Sequence, residues 1–146
     1  MDLAIVIKDT PHGCTIVTLC GELDIASAPD LRERLLAILC RQTPGLLILD
    51  LARLEFIDSS GIAVLVNTER RARLLGWSLV LVAPQAPVSR ILHICGLEQL
   101  FPIFENVSAL AGIGPAEVRP SFRLRLAPEP GESDPAAPDA GSGALA

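Results

Sequence analysis

Two adjacent serines, Ser59 and Ser60, follow Asp58 and precede Gly61. A serine hydroxyl serves either as a nucleophile or as the acceptor of a transferred phosphoryl group, and the two roles make different demands. A nucleophile needs a base to take its proton and donors to hold an oxyanion. The Gly-x-Ser-x-Gly elbow is absent here, because Ile57 and Asp58 precede the serines, and the two histidines, His12 and His93, lie in distant segments. No triad can be nominated. Asp24 and Asp58 read as a turn former and a helix cap, so they do not form an acid-base pair. The expectation is a protein that is not an enzyme, with no catalytic residue. The plainest structural reading of Asp58-Ser59-Ser60-Gly61 is a helix start, since Asp and Ser oxygens accept the orphan amide hydrogens of a first turn.

Cys14, Cys20, Cys40 and Cys95 share no Cys-x-x-Cys spacing, and His93 near Cys95 has no further ligands beside it. No metal site and no cofactor are expected. All four cysteines sit in apolar patterns and are read as buried, reduced, small hydrophobes, with a redox pair as the alternative.

Half of the 146 residues are apolar but only 3% are aromatic, so the core must be built from Leu, Ile, Val and Ala. No run approaches the roughly 18 apolar residues of a membrane span, and Met1-Asp2-Leu3 has no basic region, so a cytoplasmic protein without membrane contact is expected. The formal net charge is −5, and residues 127–146 carry four acids and no base, leaving about −1 for residues 1–126. A nearly neutral body lacks the clustered basic face of a nucleic-acid footprint, and no direct nucleic-acid partner is expected.

The elements that would position the serines follow from pattern. Leu3 to Lys8 and Cys14 to Leu19 are β-type runs joined by Pro11-His12-Gly13, which predicts an antiparallel hairpin with His12 solvated in the turn. Gly21-Glu22-Leu23-Asp24 ends the second run, and Ser27 caps a helix with Pro29 and Asp30 in its first turn. Leu31, Leu35, Ile38 and Leu39 recur at helical spacing. Leu46 to Leu51 is apolar on both faces, as in a central strand covered by helices. Ile62 to Leu75 reads as a helix burying Ile62, Leu65 and Val66 and exposing Glu69, Arg70, Arg71 and Arg73 as a solvated face. Leu79 to Val82 is a further strand. Pro84 and Pro87 introduce a helix with Val88, Ile91, Leu92 and Cys95 on one side and Gly96 as its cap. Leu100 to Phe104 is a short final strand, and Asn106 caps a last helical turn. The sum is an α/β fold with a mixed sheet of four to five strands and helices packed chiefly on one side. Residues 1–111 form the domain and 112–126 a poorly defined extension. Residues 127–146 form a Pro/Ala/Gly/acid tail that cannot bury enough surface to order itself; Ser121, Ser133 and Ser142 have no supporting context as modification sites.

With that order in place, several stretches in register resemble the STAS domain family of bacterial anti-sigma factor antagonists. These are Gly21-Glu22-Leu23-Asp24, Leu47-Ile48-Leu49-Asp50-Leu51, Phe56-Ile57-Asp58-Ser59-Ser60-Gly61, Leu81-Val82, and Val88 to Gly96 with Leu97. The resemblance spans residues 3–111, although the family's last helix is usually longer than Asn106 to Ala111 allows. It implies a STAS-type fold and a binding switch. The unphosphorylated protein would bind an anti-sigma factor that is also a serine kinase of the histidine-kinase-like ATPase fold, and so release a sigma factor. The kinase would phosphorylate Ser59, with Ser60 second, and a metal-dependent serine phosphatase would reverse this. Asp24, Asp50, Asp58, Ser59, Ser60 and Gly61 would line the partner-binding surface. The alternative is a STAS-type interaction module in another kinase-regulated or sensing complex.

Overall fold

A computed structural model describes residues 2–11 and 13–110; the expectations for His12, for residues 112–126 and 127–146, and for Ser121, Ser133 and Ser142 lie outside them. The chain runs β1 (Leu3–Asp9), β2 (Cys14–Leu23), α1 (Ala28–Leu39), β3 (Leu46–Ile57), α2 (Ser59–Leu74), β4 (Ser78–Val82), α3 (Ala86–Ile94) and β5 (Ile103–Phe104). Short 3-10 turns lie at Leu97–Gln99, before β5, and at Val107–Leu110, after it.

The sheet order is β1-β2-β3-β4-β5. The first hairpin is antiparallel, as its short turn demands, and the other pairs are parallel because α1, α2 and α3 carry the chain back between strands. The sequence predicts a mixed sheet of four to five strands, and the one observed has five.

The main core lies on one face of the sheet, where Val17, Leu19, Leu47, Leu49, Leu79 and Leu81 meet the apolar stripes of the helices. Leu31, Leu35, Ile38 and Leu39 of α1 are all buried there, as their spacing predicts. Trp77 closes the far end, its indole N–H donating to the Leu39 carbonyl at 3.2 Å. Leu46, Ile48, Val80 and Val82 point to the opposite face and form a smaller cluster with Leu110. Period two therefore holds along both central strands, and both faces are apolar as in a covered parallel sheet.

Three expectations are corrected. β3 does not stop at Leu51 but runs to Ile57. Between Thr18 and Leu23, β2 advances five residues while β3 advances seven from Asp50 to Ile57, so β3 carries two bulged residues. Glu69, expected on the solvated face, is 1% exposed and holds Arg73 at 3.0 Å. Helix α2 packs on both α1 and β4, so its buried arc is wider than the stripe set by Leu65. The cysteines are not buried hydrophobes: Cys14 and Cys20 are half-buried, and Cys40 and Cys95 are exposed at the C-terminal ends of α1 and α3.

Ser27 occupies the N-cap of α1 but its side chain makes no capping bond. The second helical residue is Pro29, which has no N–H to offer. The Ser27 hydroxyl turns back instead, donating to the Glu22 carbonyl at 2.9 Å and accepting from the Asp24 N–H at 3.0 Å.

Candidate functional site

The C-terminal ends of β2 and β3 lie side by side, with Leu23 registered against Ile57. The next residue on each strand is an aspartate, Asp24 and Asp58, and the Asp58 N–H donates to the Leu23 carbonyl at 3.2 Å. Both acidic residues therefore sit at the same end of the sheet, past the C-termini of β2 and β3, where α2 begins.

Asp58 is the N-cap of α2, with extended backbone, and its Oδ1 accepts from the Ser60 N–H at 2.9 Å and the Gly61 N–H at 3.2 Å. The Asp58 carbonyl accepts from the Ile62 N–H at 3.0 Å, opening the helical ladder. Ser59 is the first helical residue and is exposed, and its hydroxyl has no hydrogen-bond partner among the described residues. Ser60, one position on, is half-buried. Of the two serines, Ser59 presents the freer hydroxyl.

Gly61 is buried under the strand ends. A Cβ built there would lie 2.6 Å from Leu23 Cγ and 2.7 Å from Ile57 Cγ1, far inside contact distance. This close approach is made by the chain's own strands, and it fixes how deeply the first turn of α2 seats.

Asp24 is held by its own loop. Its Oδ1 accepts from the Ala26 N–H at 3.0 Å and the Ser27 N–H at 3.1 Å, with the Ser27 hydroxyl oxygen 3.2 Å away. The Ser27 N–H above all holds this carboxyl below its usual range. Asp24 is thus a charged residue that shapes the turn beside the serine helix.

Asp50 stands apart from this pair. It is registered against Thr18 and Val82, five β2 positions before Leu23, which is about 16 Å along the strand. Its Oδ1 accepts from the Ala52 N–H at 3.1 Å, within the bulged stretch. The structure brings Asp24, Asp58, Ser59, Ser60 and Gly61 together and leaves Asp50 nearer the start of α3.

Two exposed apolar residues that the sequence reading did not assign to the site lie close to the aspartates along the chain. Ile25 is 77% exposed and Phe56 is 45% exposed. Ile25 follows Asp24 in the loop after β2, and Phe56 lies in β3 two residues before Asp58, registered against Glu22. The signal was present as apolar residues at strand ends, where a loop residue is ordinarily polar. Among the described residues no group of three His, Cys, Asp or Glu side chains could hold a metal, and no helix is long and apolar enough to cross a membrane.

This arrangement offers an exposed hydroxyl at the first position of α2, beside the capping carboxylate of Asp58 and with Asp24 on the neighbouring strand end. It suits recognition and modification better than turnover.

The STAS domain model matches residues 6–110. The chain is 32% identical over 100 residues to an anti-sigma F factor antagonist from Paenibacillus polymyxa, covering 68% of this chain and 86% of that protein. It is 29% identical over 105 residues to the anti-sigma-F factor antagonist RsfB from Mycobacterium tuberculosis, covering 70% of this chain and 83% of RsfB. A crystal structure of an anti-sigma factor antagonist from Mycobacterium paratuberculosis superposes with a TM-score of 0.68 at 25% identity, covering 75% of this chain and 92% of that one. Sheet order, helix placement and the match over residues 6–110 agree, and the chain belongs to the STAS domain family.

Proposed function

We propose that this protein is an anti-sigma factor antagonist switched by phosphorylation of Ser59. Unmodified, it binds an anti-sigma factor that is itself a serine kinase of the histidine-kinase-like ATPase fold, and so releases a sigma factor. Phosphorylation ends that binding, and a metal-dependent serine phosphatase restores it. The observation that carries the reading is the exposed Ser59 hydroxyl at the first position of α2, beside the capping carboxylate of Asp58.

The first-turn geometry explains why a phosphate there would act as a strong signal. A helix N-terminus ordinarily welcomes an anion through its free amides. Here the Ser60 and Gly61 amides are already taken by Asp58. A phosphoryl group would add about −1.5 to −2 charge at neutral pH. It would project outward next to Asp58, with Asp24 on the neighbouring strand end. A partner surface fitted to a neutral hydroxyl would then face a dianion among carboxylates.

Ile25 and Phe56 supply the apolar part of the same surface. Large apolar side chains exposed next to charged ones mark contact sites, and aromatic residues supply a disproportionate share of interface energy. The reading is of a binding switch, in which specificity comes from the aspartates and affinity from these two side chains.

The test is a calorimetric titration of the kinase partner with unmodified protein and with protein phosphorylated at Ser59. A loss of ~3 kcal/mol, over a hundredfold in affinity, is expected on phosphorylation. Equal affinity in both states would overturn the switch, and no binding of either form would overturn the choice of partner.

A further inference from the structure

Among the described residues no segment pairs with the outer edge of strand β1, and its register allows it to pair with itself. In an antiparallel ladder, alternate residues point both N–H and C=O at the neighbour, and the residues between point both away. The Glu22 N–H donates to the Asp2 carbonyl and the Thr10 N–H to the Cys14 carbonyl. The register keeps the same parity from Leu3↔Gly21 to Asp9↔Thr15. Even-numbered residues of β1 therefore bond to β2, and Leu3, Ile5, Ile7 and Asp9 direct their main-chain groups outward at the edge of the sheet.

Nothing along the strand blunts this edge. It contains no proline and no bulge, and Lys8 is its one basic residue. It leaves Val6 60% exposed and Ile7 36% exposed, on opposite faces of the strand. Long, apolar, regular edges of this kind invite another strand.

We infer that the partner for this edge is a second copy of the chain, joined β1 to β1 in antiparallel sense with the two-fold axis at Val6. This register alone pairs all four outward residues on each copy: Ile5 opposite Ile7 of the second copy, and Leu3 opposite its Asp9. Val6 then meets Val6 of the second copy in a non-hydrogen-bonded pair, where opposing Cα atoms are about 4.5 Å apart and side chains touch most closely. Lys8 stands opposite Ala4 of the second copy, with that copy's Asp2 diagonal to it on the same face. No like charges are directly opposed. A shift of two residues in either direction drops one outward residue of each copy from the ladder. Self-complementarity of this kind is what a two-fold interface requires. One strand pair buries less than a standard stable interface, so the dimer is weak, with a dissociation constant of about 10 μM to 1 mM. β2 separates this edge from β3 and the Ser59 helix, so the inference stands apart from the phosphorylation switch.

Sedimentation equilibrium of the full chain across that concentration range tests it, with circular dichroism to show that each variant folds. Wild type should double its apparent mass as concentration rises. Val6→Lys and Val6→Asp, each placing like charges across the axis, should each raise the dissociation constant at least tenfold. An equimolar mixture of the two should recover the dimer, because opposite charges then meet at the axis. The same pair of substitutions at Ala4 should not be rescued by mixing, since Ala4 faces Lys8. A wild type that stays monomeric to 1 mM, a Val6→Lys protein that dimerises as wild type does, or a mixture that remains monomeric would each overturn it.

Discussion

The Asp58 N–H reaches the Leu23 carbonyl at 3.2 Å, while the Asp58 side chain caps the helix that carries Ser59. One residue thus fastens the end of β3 to the end of β2 and starts α2. The serine's position is set by the sheet rather than by a loop, and substitutions around it separate seating from recognition.

Replacing Asp58 by alanine removes the acceptor for the Ser60 and Gly61 amides. A lost N-cap costs about 0.5–2 kcal/mol, so Asp58→Ala should lower the urea midpoint correspondingly. Asp58→Asn retains the accepting oxygen and should recover most of the loss. Equal midpoints for wild type and Asp58→Ala would mean that the cap contributes nothing.

Gly61→Ala forces a methyl group against Leu23 and Ile57. Overpacking of this kind costs about 1–3 kcal/mol. Urea denaturation should show a lower midpoint with an unchanged slope, since the surface exposed on unfolding is the same.

Phe56→Ala and Ile25→Ala remove exposed side chains and should leave stability within about 0.5 kcal/mol of wild type. Each should weaken binding to the kinase partner by about 1 kcal/mol or more, read by titration. A partner that binds both variants as tightly as wild type would place the docking surface elsewhere.

Much of this architecture is legible in the sequence because local pattern and tertiary demand agree. The hairpin follows from two β-branched runs about a short turn, and the parallel crossovers follow from alternating strands and helices. The extension of β3 was hidden by its own bulges: Ala52, Arg53, Glu55 and Phe56 are exposed while Leu54 and Ile57 are buried, a spacing of three that reads as loop. Glu69 shows the opposite failure. A glutamate among arginines reads as solvated, and only the packing of α2 on α1 and β4 reveals that it is covered. Cys40 and Cys95 end their helices just past the apolar stripe, where residue type carries no information about exposure. At the site, the motif marked the serines and aspartates, whereas the position of Asp50 depended on sheet register that no local pattern encodes.

Acid should destabilise the fold in a defined window. Asp24 is held below its ordinary 3.8, chiefly by the Ser27 N–H, and Asp9 is held below the same value, chiefly by its hydrogen bond from Arg41. A depressed folded value means that the contribution is fully present above the unfolded value and is lost as pH falls through the folded one. As far as these two groups are concerned, stability measured by urea should therefore be independent of pH near neutrality and decline below about pH 4. Asp24→Asn should show a shallower decline there, and a decline identical to wild type would remove Asp24 from it.

Phosphate mapping on Ser59 bears most directly on the switch. Wild type, Ser59→Ala and Ser60→Ala would each be incubated with the kinase partner and ATP, the modified residue located by mass spectrometry, and binding measured before and after. The structure predicts phosphate on wild type and Ser60→Ala, none on Ser59→Ala, and lost binding only where phosphate is present. Phosphate on Ser60 in the wild type, or full binding by the phosphorylated protein, would contradict it.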